Sequence, residues 1–164
     1  MRYAGIIKDD IVDCDDGICV SFWTQGCPHH CKGCHNPETW DFNGGIEEKK
    51  ETIINKILSA LTENCIERKF SILGGEPLAP KNIVDVCDII KGIREKLPNI
   101  KIYLWTGYIF DKMNFKGKYK DALKYIKENV DVVIDGLYNE KLRDISLPLR
   151  GSSNQRILYK GKDF

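Results

Sequence analysis

The sequence has no apolar run near the ~18 residues that a membrane-spanning helix needs. Its first ten residues, MRYAGIIKDD, lack the apolar stretch of a secretory signal peptide. With 25 basic and 24 acidic residues among 164, it also lacks the strong positive charge typical of nucleic-acid-binding domains. We therefore expect a cytoplasmic protein that binds neither membranes nor nucleic acids.

A disulfide framework is also unexpected, because seven cysteines are an odd number and no secretory signal is present. Three of them, Cys27, Cys31 and Cys34, form a C-x3-C-x2-C pattern within GCPHHCKGCHNPETW. Three thiolates so close in sequence can reach one metal centre from a single loop. Iron–sulfur clusters usually have four cysteine ligands, so a cluster held by these three would leave one iron open.

A zinc site is the alternative for this loop, with the three cysteines joined by one of His29, His30 or His35. A simple electron-carrying cluster is disfavoured, because no fourth cysteine lies nearby. The remaining cysteines are interpreted as structural residues of the core, of turns and of helices: Cys14, Cys19, Cys65 and Cys87.

Strand patterns alternate with helix patterns along the chain, which predicts an α/β fold with a mostly parallel sheet. A complete eight-unit barrel needs ~250 residues, so a single domain over residues 1–164 is expected to form a partial, open βα barrel. The acids of segment 9–16 are expected to form a solvated turn. Predicted strands are 3–8, 18–24, 69–73, 100–105, 130–134 and 156–159, and predicted helices are 47–64, 80–97 and 118–128.

Polar and glycine-rich segments follow several predicted strands: Gly74-Gly75-Glu76-Pro77, then 106–108, then Asp135-Gly136. The carboxyl ends of parallel strands lie at one edge of a sheet, so these segments and the cysteine loop should share one mouth. Two glycines let a ligand approach the backbone closely, and a glutamate carboxylate can pair with an ammonium group. An ordinary tight turn is the alternative.

Together the cysteine loop and the GGEP segment resemble the radical S-adenosylmethionine superfamily. The segments QGCPHHCKGCHNPETW, LGGEPL, WTGY, IDG and LRDISLPLRGSSNQRI resemble one family within it, the anaerobic ribonucleoside-triphosphate reductase activating proteins. The resemblance extends over about residues 3–158. The last segment is its most family-specific part, because the first two motifs are shared with other activases.

By this resemblance, Cys27, Cys31 and Cys34 bind three irons of a [4Fe–4S] cluster, and S-adenosylmethionine chelates the fourth. The resemblance also implies the residues beside the cofactor, with the two glycines and the glutamate holding its amino group. No general acid or base is implied among the side chains, since the cofactors supply the chemistry. The implied cofactor-binding residues are Gly33, Cys34, His35, Gly74, Gly75 and Glu76.

The implied reaction is reductive cleavage of S-adenosylmethionine to methionine and a 5′-deoxyadenosyl radical, which removes a hydrogen from a glycine of the reductase. A flavodoxin-type or similar low-potential reductant is the second implied partner. Two alternatives stay open. One is an activase of another glycyl-radical enzyme, such as pyruvate formate-lyase, which the GSSNQRI segment disfavours; the other is a non-enzymatic zinc-binding interaction module.

One position departs from the superfamily pattern, because Gly33 stands where many members have an aromatic residue before the third cysteine. Adenine packing must then come from elsewhere, and His35 and Tyr108 are the candidates. Asp135 is interpreted either as orienting a cofactor group or as capping its strand. Five residues near the end of the chain either bind the cofactor or partner or simply form surface and loop structure: Arg143, Arg150, Ser152, Asn154 and Arg156.

Overall fold

The computed structural model describes residues 1–164 and has a single sheet at its centre. Its strands are β1 (Arg2–Asp10), β2 (Cys19–Thr24), β3 (Ile46–Glu47), β4 (Lys69–Gly74), β5 (Ile102–Thr106), β6 (Val132–Asp135) and β7 (Arg156–Tyr159). The spatial order of these seven strands is β3-β1-β2-β4-β5-β6-β7.

The centre of the sheet is parallel and its edges are antiparallel. Strands β2, β4, β5 and β6 run in one direction, as the alternating βα pattern predicts. Strand β1 pairs antiparallel with both β2 and β3, and β7 pairs antiparallel with β6. The α/β prediction is therefore confirmed, and the sheet is mixed.

Three helices, α1 (Lys50–Thr62), α2 (Ile83–Lys96) and α3 (Lys118–Asn129), connect the parallel strands and pack together with α2 in the middle. The main core lies between these helices and the sheet, which contributes side chains such as Phe22 and Phe70. Helix α2 has the most buried residues of the three, because its apolar residues recur at helical spacing along one face. None of the three is long and apolar enough to span a membrane.

The largest boundary errors of the sequence analysis lie where helices begin. The helix predicted from residue 47 begins at Lys50, because Ile46 and Glu47 pair with Tyr3 and Arg2 as β3. The helix predicted from residue 80 begins at Ile83, after a turn. A two-residue strand with exposed side chains has no sequence pattern of its own, so β3 was not predicted.

The acidic segment 9–16 turns after β1 and is largely exposed, as expected, but some of its side chains also contact the sheet. Asp9 accepts a hydrogen bond from Nε of the buried Arg68 at 2.6 Å. Asp15 contacts Nζ of Lys69 at 3.0 Å, and it also accepts from Lys101 and the Tyr103 hydroxyl. The Asp15 contacts hold the segment against β4 and β5 on the sheet face opposite the helices, whereas Asp9 is bound to the residue just before β4.

The turn after β4 packs directly on the end of β2. The Gly75 amide donates to the Thr24 carbonyl and the Glu76 amide to the Gly26 carbonyl, both at 2.9 Å. A Cβ atom on Gly75 would lie 2.6 Å from the Gly26 carbonyl oxygen, and one on Gly74, where φ is +98°, would lie 2.7 Å from the Thr24 nitrogen. The glycine pair is therefore required by backbone contact within the fold itself.

We predict that Gly75→Ala lowers the free energy of unfolding by about 1–3 kcal/mol, because the added methyl group meets backbone atoms that cannot rotate away. Gly5→Ala is the matched control, since a Cβ there meets no atom within 4 Å. Denaturant unfolding of the two variants and the wild type measures the difference. Equal stability of the two variants would show that the turn relaxes freely.

Asp13 lies on the same sheet face, beside Asp10 and the Ser21 hydroxyl, which is 3.4 Å from its Oδ2 atom. Burial, together with the neighbouring Asp10 carboxylate, raises the pKa of Asp13 to about 7. An unfolded aspartate has a pKa of about 3.9. The folded state therefore gains stability from protonated Asp13 below about pH 4, and this gain is lost as the pH rises through about 7.

We predict that Asp13→Asn becomes more stabilising with rising pH. Its free energy of unfolding relative to the wild type should increase by about 2–4 kcal/mol between pH 4.5 and pH 8, because asparagine avoids the cost of ionising a buried carboxyl group. Denaturant titrations at several pH values measure it, with Asp121→Asn on exposed α3 surface as control. A pH-independent difference would contradict the raised pKa.

Candidate functional site

A cavity of about 650 Å³ opens at the carboxyl edge of the parallel strands. It extends from the cysteine loop along the sheet face that the helices leave uncovered, past Trp23, Leu73 and Trp105. The motif residues predicted to share one mouth do so, which confirms that expectation for these positions: Cys27, Cys31, Cys34, Gly74, Gly75, Glu76, Thr106, Gly107 and Gly136.

The cysteine loop is closed at its base by two backbone hydrogen bonds. The Gly26 amide donates to the Thr39 carbonyl at 2.8 Å, and the Cys27 amide donates to the Trp40 carbonyl at 3.0 Å. Left-handed backbone at Gly26 (φ +94°) lets the chain turn out of β2 at this point. The three thiols therefore project from one closed loop that begins where the central strand ends.

All three loop thiols are free and partly buried. Burial raises the pKa of Cys27 and of Cys31, so in the metal-free protein these thiols favour the protonated form. A metal centre binds thiolates and releases their protons on binding. Three thiols of this kind on one loop are a donor set that suits an iron–sulfur cluster with one iron left open.

The three histidines near the thiols have other partners. The His29 ring bonds to Glu76, the His30 ring stacks on Trp40 at 4.7 Å, and the His35 ring lies 5.9 Å from that of Tyr138. No three His, Cys, Asp or Glu side chains are grouped closely enough for a single metal ion. A four-iron cluster differs from such an ion, because each thiolate binds a separate iron.

Glu76 is buried at the back of the cavity, with only 1% of its surface exposed. Its Oε1 atom accepts from the Leu78 amide at 2.9 Å and from the Thr106 hydroxyl at 2.7 Å. Its Oε2 atom lies 2.7 Å from the Gly107 amide and 2.9 Å from His29 Nε2. A carboxylate has about four lone-pair sites, so this one is fully occupied by partners within the chain.

Glu76 is expected to pair with an ammonium group, and that expectation stays a prediction, although its lone-pair sites already have partners within the chain. The carboxylate joins three segments of the chain: the cysteine loop, its own turn and the 106–108 segment after β5. Burying a carboxylate is costly unless hydrogen bonds compensate. The hydrogen-bonded Glu76 carboxylate is therefore a structural junction of these three segments beneath the cavity.

Asn82 makes a second junction that the sequence analysis missed. Its side-chain amide donates to the carbonyl oxygens of Gln25 at 3.0 Å, Gly26 at 3.3 Å and Glu76 at 2.9 Å. It thereby ties the exit of β2 to the GGEP turn. An asparagine just before a helix is usually a helix cap, so no signal in the sequence pointed to this role.

An aromatic residue beside His35, Tyr138, lines the cavity on the side of the third cysteine. Gly33 has a left-handed backbone (φ +74°), and a Cβ there would lie 2.9 Å from the Glu140 carboxylate. His35 and Tyr138 both line the cavity, whereas Tyr108 packs edge-on against His29 with the ring centroids 4.6 Å apart. Tyr138 was not predicted, because it is distant in sequence from the cysteines.

Asp135 is completely buried and is used within the fold. It accepts from the Phe110 amide at 2.8 Å and from both Nε and a terminal nitrogen of Arg156. These hydrogen bonds raise the pKa of Arg156, with Asp135 contributing more than Asp111. Arg156 is therefore a structural partner that joins β7 to β6.

The GSSNQR segment is also held mainly by internal hydrogen bonds. The Ser152 hydroxyl accepts from the Asn139 amide at 3.1 Å, and the Asn154 side chain donates to the Leu137 carbonyl at 2.8 Å. Arg143 and Arg150 instead line the cavity. Of the five late residues, Ser152 and Asn154 thus hold the loop, Arg156 joins β7 to β6, and Arg143 and Arg150 face the site.

The sequence matches the family model of the 4Fe-4S single cluster domain over residues 15–158. It is 36% identical over 158 residues to the anaerobic ribonucleoside-triphosphate reductase-activating protein of Salmonella typhimurium, covering 96% of this chain and 97% of that protein. The protein of the same name from Escherichia coli K12 is 35% identical over the same coverage.

A third relative comes from a virus. The anaerobic ribonucleoside-triphosphate reductase-activating protein of Enterobacteria phage T4 is 35% identical over 157 residues, which are 96% of this chain and 93% of that protein. These matches cover 96% of the chain in all three relatives. The chain therefore belongs to the family of anaerobic ribonucleoside-triphosphate reductase-activating proteins and has its 4Fe-4S single cluster domain.

Proposed function

We propose that this protein is a radical S-adenosylmethionine enzyme that generates a glycyl radical on anaerobic ribonucleoside-triphosphate reductase. The observation that carries the proposal is that the three thiols of the cysteine loop line one cavity with Gly74, Gly75 and Glu76. The names of relatives at 35–36% identity support the choice of reductase. The whole chain, residues 1–164, acts as one domain of the partial-barrel type.

In this proposal Cys27, Cys31 and Cys34 hold a [4Fe–4S] cluster whose fourth iron is left for S-adenosylmethionine. When bound, the cluster supplies the electron that cleaves this cofactor into methionine and a 5′-deoxyadenosyl radical. The electron comes in turn from a flavodoxin-type or similar low-potential reductant. Three free, partly buried thiols on one loop fit this cluster.

The chain's own residues bind and enclose the cofactor. The backbone of Gly74 and Gly75 lies at the cavity wall and receives the methionine end. Cys34 and His35 also line the cavity, and with the adjacent Gly33 they lie alongside the cofactor. His35 and Tyr138, whose ring centroids are 5.9 Å apart, both line the cavity and take the place of the missing aromatic residue before Cys34. No side chain acts as a general acid or base.

The remainder of the cavity protects a reactive radical. Trp23, Leu73 and Trp105 give it an apolar floor along the sheet. Such a floor excludes water from the reacting atoms, and a target glycine held close to the radical is then its nearest reaction partner. Its long opening on the uncovered sheet face gives a segment of the reductase access to the reacting atoms.

The test is an assay of anaerobically reconstituted, reduced protein with S-adenosylmethionine. Formation of 5′-deoxyadenosine and methionine would establish the reaction class. Addition of anaerobic ribonucleoside-triphosphate reductase should then give a glycyl-radical signal in electron paramagnetic resonance (EPR) spectra, whereas pyruvate formate-lyase should give none. Zinc binding without cofactor cleavage would overturn the proposal.

We predict that alanine at any one of Cys27, Cys31 or Cys34 abolishes cleavage of S-adenosylmethionine, because the cluster loses one protein ligand. Cys65→Ala is the control, since that thiol is exposed and lies outside the cavity. The measurement is 5′-deoxyadenosine formed per protein after reconstitution. Full activity in one of the three variants would remove that cysteine from the ligand set.

A further inference from the structure

We propose that His29 is a positioning residue that sets the cysteine loop against the GGEP turn and thereby determines the affinity for S-adenosylmethionine. The inference rests on the proposed function. It concerns a side chain that neither the cysteine pattern nor the GGEP segment includes. His29 acts through Glu76 and the loop backbone, so it needs no contact with the reacting atoms.

The first support is a largely buried hydrogen bond. His29 Nε2 lies 2.9 Å from Glu76 Oε2, and the two side chains are only 14% and 1% exposed. An ionised carboxylate can only accept a hydrogen bond, so the hydrogen between these atoms belongs to Nε2. A hydrogen bond to an ionised group is shorter and stronger than a neutral one.

The second support is steric, because the His29 ring is enclosed on the side of β5. A Cβ atom on Gly107 would lie 2.5 Å from the ring, so the backbone approaches it as closely as glycine permits. The Tyr108 ring packs against it at 71° with a centroid distance of 4.6 Å. Together with the bond to Glu76, these contacts hold the imidazole in one orientation.

The third support is the position of His29 along the loop. It lies two residues after Cys27 and two before Cys31, so a fixed ring also fixes the backbone between the first two thiols. Of the side chains in segment 28–34, His29 alone hydrogen-bonds to the GGEP turn. The backbone bonds to Thr39 and Trp40 close only the base of the loop.

The contact between His29 and Glu76 matters for function because the Glu76 carboxylate is saturated. Because all four lone-pair sites already have partners, Glu76 contributes by holding its turn, the 106–108 segment and the cysteine loop in register. Without His29 the thiols remain and can still bind iron. The stretch of the loop between the first two thiols then loses its side-chain tie to the turn that receives the methionine end, and only the base of the loop at Gly26 stays bonded to that turn.

The experiment compares three reconstituted variants with the wild type. His29→Leu removes the hydrogen bond, and His29→Gln keeps an N–H donor at a similar distance from the backbone. His30→Gln is the matched control, because His30 is the adjacent residue but is exposed and stacks on Trp40. Iron and sulfide content, the EPR spectrum of the reduced cluster during titration with S-adenosylmethionine, and KM and kcat are measured for each.

We expect all variants to load the cluster to the wild-type level. In His29→Leu the dissociation constant and KM for S-adenosylmethionine should rise about 10- to 100-fold, as expected for loss of a hydrogen bond to a charged group. His29→Gln should regain most of the affinity, and His30→Gln should equal the wild type. At saturating cofactor, kcat should change much less than KM.

Two outcomes would overturn the inference while the proposed function stands: wild-type affinity in His29→Leu, or an equal loss in His29→Gln and His29→Leu. A wild-type spectrum that does not respond to S-adenosylmethionine would overturn the proposed function and the inference with it.

A measurement on the wild type alone guards against a variant that fails to fold. Nitrogen-15 NMR of the histidines in the oxidised, diamagnetic holoprotein should find the His29 hydrogen on Nε2. A hydrogen on Nδ1 alone, leaving Nε2 bare, would contradict the geometry on which the inference rests.

Discussion

The site depends on the hydrogen bonds that the buried Glu76 carboxylate accepts. A charge removed from water is costly unless hydrogen bonds replace its hydration, and here four donors do so. Two of the partners, His29 and Gly107, are 47 and 31 residues away in sequence. Because these hydrogen bonds offset the cost of burying the charge, keeping them holds three loops together at one end of the sheet.

The parallel sheet brings these loops within reach. In register, Thr24 of β2 lies beside Gly74 of β4, and Thr106 of β5 lies beside Asp135 of β6, so all four strands end along one edge. The paired glycines after β4 let the backbone of the turn contact the cysteine loop with no side chain between them. The helices cover only one face, which leaves the other free to form the cavity.

Much of the fold could be predicted from local patterns. Each strand with an apolar run was found to within two residues at either end, because β-branched and aromatic residues mark buried strands clearly. Strand β3 and the beginnings of α1 and α2 were missed or misplaced, because each depends on pairing or turn contacts elsewhere in the chain.

The residues of the candidate site also fall into two groups: those that local sequence patterns predict and those that only the structure shows. The sequence by itself determined the C-x3-C-x2-C thiols and the GGEP turn, because ligand spacing and glycine pairs are local features. Only the tertiary structure decided that Glu76 is saturated, that His29 and Asn82 bind to its turn, that Tyr138 faces the cavity and that Asp135 serves Arg156. These roles depend on contacts between residues distant in the chain, and no spacing within a single segment encodes such contacts.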